Sequence, residues 1–246
     1  MYKRQVYRRE DDDGNAVRAK IYSRGAPIAL SQSVPVFENM GLFVRFETGY
    51  PVRPTEKPRD DAPDVYWIHD MLMHAEAGRE LDIDQVAEGF QDTFVAVWTG
   101  RAENDGFNRL VFEAGATWRE ANLLRGLSAY RRQTGMDPAK SSQIRAFATH
   151  GAITRNILNL FAALFDPQVK ISDEDREAKA GRVANVLQGQ LAGVRSLEDD
   201  RVLRRTINLV MAIQRTNYYM GGAGPLAFKV ASAELCLLYT SPSPRD

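Results

Sequence analysis

The fold of the first third of this chain is decided by residues 16–48, which read AVRAKIYSRGAPIALSQSVPVFENMGLFVRFET. Near its start, Val17, Ala19 and Ile21 alternate with charged or polar residues. This period of two is typical of a strand that buries one of its faces. The segment therefore opens with a half-buried strand.

A helix follows within SQSVPVFENMG, residues 31–41. Ser31 is a suitable N-cap, and Pro35 lies in the first turn, where its missing N–H costs least. Gly41 is the residue expected just beyond the end of the helix. The spacing predicts that one face of this helix is apolar and contains Val34, Phe37 and Met40.

Three further strands complete a small sheet. Before the helix, QVYRR and AVRAKIYS flank the polar turn cluster EDDDGN, which favours a hairpin. After the helix, Leu42, Val44 and Phe46 alternate in a strand predicted to pack beneath it, and DVYWIHDML supplies the last strand. The predicted order is β-β-α-β-β, so the fold class is α+β, a small mixed sheet with one helix followed by a mostly α-helical segment.

The rest of the chain has helical periodicity. Ser172 and Ser196 are predicted N-caps, and Asp137-Pro138 predicts the start of another short helix. The last helix is predicted to continue through LEDDRVLRRTINLVMAIQRTNYY to Tyr219. A glycine-rich joint then leads to a strand at PLAFKV that we expect to lack partners within this chain.

Both ends of the chain resemble translated sequencing adapter. Residues 1–5 and 236–246 look like the two ends of one artificial DNA element, and the alternative is a natural Ser/Pro-rich tail. We therefore expect the natural sequence to run from Val6 to Leu235, without the cysteine at position 236. The whole chain has 32 basic and 32 acidic residues. Without the two end segments the charge is close to balanced, so it gives no argument for nucleic acid or a membrane as a partner.

Candidate catalytic and metal-binding residues are few. His69 and His74 are five residues apart, which on a strand places them on opposite faces and predicts separate structural roles. No role is assigned to His150. The cluster Asp11–Asp13 lacks the pattern of a calcium loop, which favours a solvated turn. The sequence therefore predicts no catalytic, cofactor-binding or metal-ligating residue in this chain.

Two other patterns favour structural interpretations. The GGAG sequence at Gly221–Gly224 follows a helix and precedes a strand, the reverse of a dinucleotide-binding motif, so a flexible joint is favoured. The basic residues Arg201, Arg204 and Arg205 alternate with acidic ones, which is typical of an ion-paired helix surface. The three tryptophans, at positions 67, 98 and 118, are predicted to pack in cores.

Three stretches resemble the large bacterial NAD-specific glutamate dehydrogenases. Lys20 to Leu42, KIYSRGAPIALSQSVPVFENMGL, resembles the last regulatory ACT-like module of that family. Glu80 to Gly135, which contains VWTGRAENDGFNRLV and TWREANLLR, is similar to the helical segment that follows it there. Ser196 to Tyr219, continued by PLAFKV, resembles the run into the catalytic domain.

The resemblance implies a longer polypeptide and a division of this chain. Residues 6–75 correspond to the ACT-like module, 80–219 to the helical segment, and 220–235 to the joint and the truncated start of a catalytic domain. The longer protein is expected to use NAD for oxidative deamination of L-glutamate to 2-oxoglutarate and ammonium. Its catalytic and nucleotide-binding residues would lie beyond this chain, which would be inactive alone and bind no cofactor.

Two functional hypotheses remain open from the sequence. In the first, the chain is a regulatory or scaffold segment whose partner is its own catalytic domain, in a cytoplasmic homo-oligomer. In the second, it is a free-standing ACT-like sensor, because Gly41 lies at a helix–strand junction where such modules bind amino acids. A helical adaptor protein is a third interpretation.

Overall fold

A computed structural model describes residues 4–56, 61–76, 80–133, 137–221 and 225–231 of the chain. The chain forms two compact units, Met1–Trp118 and Arg119–Asp246. The first unit is a sheet with helices on one face and the second is mainly helical. The α+β class predicted from the sequence is confirmed.

The first unit has the predicted β-β-α-β-β order. Its elements are β1 (Arg4–Tyr7), β2 (Ala16–Arg24), α1 (Leu30–Asn39), β3 (Leu42–Val52), β4 (Tyr66–Ala75), α2 (Ile83–Trp98) and the short α3 (Leu110–Glu113). The sheet order is β1-β2-β4-β3, with antiparallel neighbours throughout. Because β4 lies between β2 and β3, these two strands run parallel, and α1 connects them.

Helices α1 and α2 cover one face of the sheet. Phe37 of α1 is fully buried and stacks between Phe90 and Phe94 of α2, with ring centroids 5.9 and 5.2 Å apart. Below them the sheet contributes the core-facing residues Val17, Ala19, Ile21, Met71 and Met73. Stacked aromatic pairs add about 0.5–1.5 kcal/mol each beyond the area they bury. The Phe37 contacts therefore join the two helices as well as covering the sheet.

Helix α1 differs from its prediction at its start. Its N-cap is Ala29 and its first residue is Leu30, so the expected capping role of Ser31 is wrong. The backbone N–H of Ile28 is hydrogen-bonded to His69 of β4, and this contact with the sheet sets where the helix begins. The predicted end is confirmed, because Met40 is the C-cap and Gly41 follows with a φ of 84°.

A β-bulge in β3 changes which residues face the core. Val44 is paired with Met73, but Phe46 is paired with Leu72, so Arg45 is an extra residue in the strand. The register shift turns the Phe46 side chain to the outer face, where it is 70% exposed. The prediction that Phe46 packs beneath α1 is therefore wrong, because alternation fails at a bulge.

The second unit consists of helices and a two-stranded sheet. Its helices are α4 (Trp118–Gln133), α5 (Lys140–Thr149), α6 (Gly151–Phe165), α7 (Asp173–Leu191) and α8 (Leu197–Ala212). The caps of the last two helices are as predicted, since Ser172 accepts a hydrogen bond from Asp175 N–H and Ser196 accepts one from Asp199 N–H. Arg176 of α7 also donates to backbone carbonyls at the end of α6, including Ala163 and Asp166. These bonds satisfy carbonyl groups that a helix C-terminus leaves unpaired.

Three predictions in this unit are wrong. Helix α5 begins at Lys140, not at Pro138, because the side chain of Asp137 pairs with arginines. Helix α8 ends at Ala212, and Ile213–Thr216 forms β5. The strand β6 (Phe228–Val230) is antiparallel to β5, so the strand at PLAFKV has a partner within the chain. Helical periodicity could not predict this ending, because hydrogen bonds to a distant segment set it. The predicted helix end at Gly135 lies outside the described residues.

Residues 4 and 5 belong to the segment that resembles adapter sequence, yet their backbone pairs with Ile21 and Lys20 in β2. No helix in the described ranges is both long and apolar enough to cross a membrane.

Two glycine substitutions should change stability in opposite directions. Gly41→Ala should lower the free energy of unfolding by about 1 kcal/mol or more, because L-residues are strained at positive φ. A Cβ there would make only an ordinary contact with Arg109, so the cost comes from the backbone. Gly181→Ala in the exposed part of α7 should raise the free energy by about 0.5–1 kcal/mol. Urea unfolding of both variants tests this, and a stabilising Gly41→Ala would contradict it.

Candidate functional site

The junction between α1 and β3 is the place where the sequence suggested an amino-acid site. Here the Gly41 N–H donates to Glu38 O at 2.9 Å, and the Gly41 carbonyl accepts from Glu76 N–H at 3.0 Å. The carboxylate of Glu76 is also paired with Arg109, with Nη2 and Oε2 3.2 Å apart. Both backbone groups of Gly41 are therefore used within the chain, which leaves neither of them pointing at a ligand.

The three histidines occupy separate places. His69 is buried on the core face of β4, whereas His74 lies on the opposite face of the same strand, as the five-residue spacing predicted. His150 lies between α5 and α6, with its Nε2 3.4 Å from Asp199 Oδ2. Within the part of the chain that the structure describes, no group of three or more His, Cys, Asp or Glu residues could hold a metal ion.

His69 makes two hydrogen bonds from its ring. Its Nε2 accepts from the Ile28 N–H at 3.0 Å, and its Nδ1 lies 2.8 Å from Oε1 of Glu47. Glu47 faces the core because of the bulge at Arg45. The sequence predicted a structural role for His69, but it missed this partner because regular alternation places Glu47 on the outer face.

The acidic turn before β2 is less solvated than the sequence suggested. Asp12 makes two 2.7 Å hydrogen bonds to the guanidinium of Arg18, and its side chain is 6% exposed. Its Oδ2 also accepts from the Arg9 N–H at 2.9 Å. The hydrogen bond to Arg18 lowers the pKa of Asp12 to about 2. These bonds hold the hairpin turn against β2.

A buried charge cluster lies between α4 and α8. Arg131 Nε is 2.6 Å from Asp137 Oδ2, and both side chains are almost fully buried. Arg131 also donates to Thr206 Oγ1 and, at 2.8 Å, to the Val202 carbonyl. Arg205 lies 3.0 Å from Asp137 Oδ1. Burial lowers the pKa of Arg131, and its hydrogen bond to Asp137 opposes that shift.

The sequence did not predict this cluster, because Asp137 followed by proline resembles a helix start. It did predict an ion-paired surface for Arg201, Arg204 and Arg205, and the structure shows ion pairs of Arg204 and Arg205. Arg204 pairs with Asp200 one turn earlier at 2.8 Å, and Arg205 pairs with Asp137. These ion pairs stabilise helix packing, and Asp137 is shared by Arg131 and Arg205.

An aromatic cluster precedes the glycine-rich joint. Tyr218 meets Phe161 edge to face, with ring centroids 5.3 Å apart, and Tyr219 stacks on Phe161 at 6.2 Å. Burial raises the pKa of both tyrosines, that of Tyr219 to about 12. Gly221 follows with a φ of 72°, and residues 222–224 of the proposed joint lie outside the described ranges.

Two family models match the chain, in the order expected from the sequence. Residues 2–86 match the glutamate dehydrogenase ACT3 domain, and residues 102–167 match glutamate dehydrogenase helical motif 3. The first match contains the four-stranded sheet with α1. The second contains α3, α4, α5 and α6.

Three curated relatives of this chain are also named as glutamate dehydrogenases. The chain is 36% identical over 214 residues to the NAD-specific glutamate dehydrogenase of Halomonas elongata, covering 87% of this chain and 13% of the relative. It is 37% identical over 203 residues to that of Pseudomonas aeruginosa, covering 82% of this chain and 12% of the relative. It is 32% identical over 220 residues to the NAD-specific glutamate dehydrogenase of Mycobacterium tuberculosis, covering 87% of this chain and 13% of the relative.

The chain therefore belongs to the glutamate dehydrogenase family, in which it corresponds to a segment with the ACT3 domain and helical motif 3. It spans about one eighth of the length of these relatives.

Removing the shared carboxylate of the buried cluster should be costly. Asp137→Asn should lower the free energy of unfolding by about 3–5 kcal/mol, because Arg131 would remain buried without its counter-charge. Asp200→Asn, on the surface pair with Arg204, is the matched control and should cost less than about 1 kcal/mol. Urea unfolding of both variants measures the difference, and equal costs would show that burial of the pair is unimportant.

The Asp12–Arg18 pair should make stability depend on pH. Since folding lowers the pKa of Asp12, its contribution is present above about pH 4 and is lost as the pH falls towards 2. The stability difference between the wild type and Asp12→Asn should therefore shrink over that range. Unfolding free energies measured from pH 2 to 6 test this, with the exposed Asp11→Asn as control. A difference that stays constant for Asp12→Asn would contradict the assignment.

Proposed function

We propose that this chain is a non-catalytic regulatory and scaffold segment of an NAD-dependent glutamate dehydrogenase. The longer protein would oxidise L-glutamate with NAD⁺ and water to 2-oxoglutarate, ammonium, NADH and a proton. The observation that carries the proposal is the ordered match to the ACT3 domain and helical motif 3, together with relatives named NAD-specific glutamate dehydrogenases. NAD would bind to the catalytic domain of the longer protein and not to this segment.

The side-chain contacts support a structural role. Two acidic side chains with little exposure are paired with arginines, Asp12 with Arg18 and Asp137 with Arg131. Such pairs hold helices and strands in position. The partner of the segment would be its own catalytic domain, within a cytoplasmic homo-oligomer.

A free-standing amino-acid sensor is the second candidate function. The positive φ of Gly41 at the helix–strand junction favours it. Against it, the N–H and carbonyl of Gly41 are bonded to Glu38 and Glu76. Titration calorimetry with amino acids separates the candidates, since saturable binding by this chain would favour the sensor.

A chimaera tests the scaffold proposal. Residues 6–231 would replace the corresponding segment of the Halomonas elongata relative, and glutamate-dependent NADH production would be followed by absorbance. We expect the chimaera to be active and this chain alone to give no NADH above background. Phe37→Asp in the chimaera should abolish activity, because it places a carboxylate in the core that joins α1 to α2.

Phe46→Asp is the matched control, because Phe46 lies on the exposed face of the same sheet. It should leave most of the activity of the chimaera intact. Saturable NADH production by this chain alone would refute the non-catalytic assignment. Equal activity of the Phe37→Asp chimaera and its parent would refute the scaffold role.

A further inference from the structure

The hydrogen bonds of His69 define one protonation state of its ring. The Ile28 N–H donates to Nε2 at 3.0 Å, so that nitrogen must present a lone pair. In the neutral ring the proton is then on Nδ1, which donates to Glu47 Oε1 at 2.8 Å. The side chain of His69 is 3% exposed, so water does not readily replace either bond.

The bond to His69 holds the loop of residues 25–29 that leads into α1. Other bonds of this loop use groups that do not titrate near neutral pH. The Gly25 N–H donates to Val65 O at 2.9 Å, and the Ser23 hydroxyl donates to Ala26 O at 2.7 Å. Among these anchors, the acceptor of the Ile28 N–H is the one that belongs to an ionisable side chain, an imidazole.

The first turn of α1 depends on this anchor. The N-cap residue Ala29 offers no side-chain hydrogen bond, and the first turn contains no acidic residue. The side chain of Ile28 packs against the core of the sheet unit. The position of Ile28 therefore fixes where α1 begins, and His69 fixes the position of Ile28.

We propose that His69, Glu47 and the Ile28 N–H form a proton-operated latch that releases loop 25–29 and the first turn of α1 when His69 is protonated. A proton on Nε2 makes that nitrogen a donor, and it then faces the N–H of Ile28, which is also a donor. The Ile28 N–H loses its acceptor, while Glu47 keeps its bond to Nδ1 and holds the imidazolium in place. Because the bond to Glu47 holds the ring in place, it is loop 25–29 that moves away.

The ionisable groups around His69 are few. Glu47, on β3, is its hydrogen-bond and ion-pair partner. Directly opposite on the neighbouring strands are Ile21 and Gly49, and loop 25–29 has no ionisable side chain. The acidic residue of α1 is Glu38, which is exposed near the C-terminal end of the helix. The carboxylates of α2 are Asp84, Glu88 and Asp92, and none is within ion-pair distance of the His69 ring in the described part of the chain.

Nuclear magnetic resonance of this 246-residue chain between pH 5 and 8 tests the latch. Ring ¹⁵N shifts should show the Nδ1–H tautomer at pH 8. As His69 titrates, the hydrogen-exchange protection factor of the Ile28 amide should fall about tenfold or more, since a buried N–H loses its acceptor. The Gly25 amide, whose acceptor does not titrate, should keep its protection and so exclude general acid unfolding.

Two variants sharpen the test. His69→Gln can accept from the Ile28 N–H and donate to Glu47 without titrating, so its Ile28 protection should not change with pH. Glu47→Gln removes the counter-charge, so release of the Ile28 amide should need a lower pH. The proposal would be overturned by an Nε2–H tautomer at pH 8, by a ring that stays neutral down to pH 5, or by Ile28 protection that is constant while His69 titrates. Equal pH dependence in the wild type and His69→Gln would also overturn it.

Discussion

The sheet of the first unit has one apolar face that must be covered, and the burial of Phe37 meets this requirement. Its ring lies between Phe90 and Phe94, so α1 is attached to α2 and to the sheet by the same side chain. Fully burying such a side chain is worth about 1.5–3 kcal/mol before the ring stacking is counted. The rest of the unit depends on this contact, because each helix alone would cover only part of the face. The opposite face carries exposed aromatic residues such as Phe43 and Phe46.

A single extra residue in β3 has consequences that reach the start of α1. The bulge at Arg45 turns Phe46 outward and brings Glu47 onto the core face. Glu47 then meets Nδ1 of His69, which leaves Nε2 free to accept the N–H of Ile28. Helix α1 begins two residues later with an alanine as its N-cap. A β-strand irregularity, a buried histidine and a helix boundary are therefore parts of one hydrogen-bonded arrangement.

The second unit uses buried charge where the first uses aromatic packing. Asp137 is shared by Arg131 and Arg205, and Arg131 also bonds to α8 through Thr206. Buried pairs of this kind add little net stability compared with apolar packing, but losing one partner is expensive. They therefore favour one arrangement of α4 and α8 over others. Such fixed packing suits a segment proposed to position a separate catalytic domain.

Local sequence signals predicted those features that depend on neighbouring residues. The caps Ser172 and Ser196 were predicted because a hydroxyl reaches an N–H three residues ahead. Gly41 was predicted because a helix commonly ends in a left-handed residue. The opposite faces of His69 and His74 follow directly from strand geometry. The resemblance of whole segments identified the family, which these short signals could not.

The sequence by itself thus determined the α+β class, the strand–helix order of the first unit and the family. The tertiary structure alone decided that Glu47 meets His69, that Asp137 pairs with Arg131, and that α8 ends where β5 joins β6. Each of these depends on groups distant in the chain, whose hydrogen bonds and ion pairs outweigh weak local preferences. Periodicity reflects the spacing of residue types along the chain. It carries no information about which distant group will form a hydrogen bond or an ion pair with a given residue.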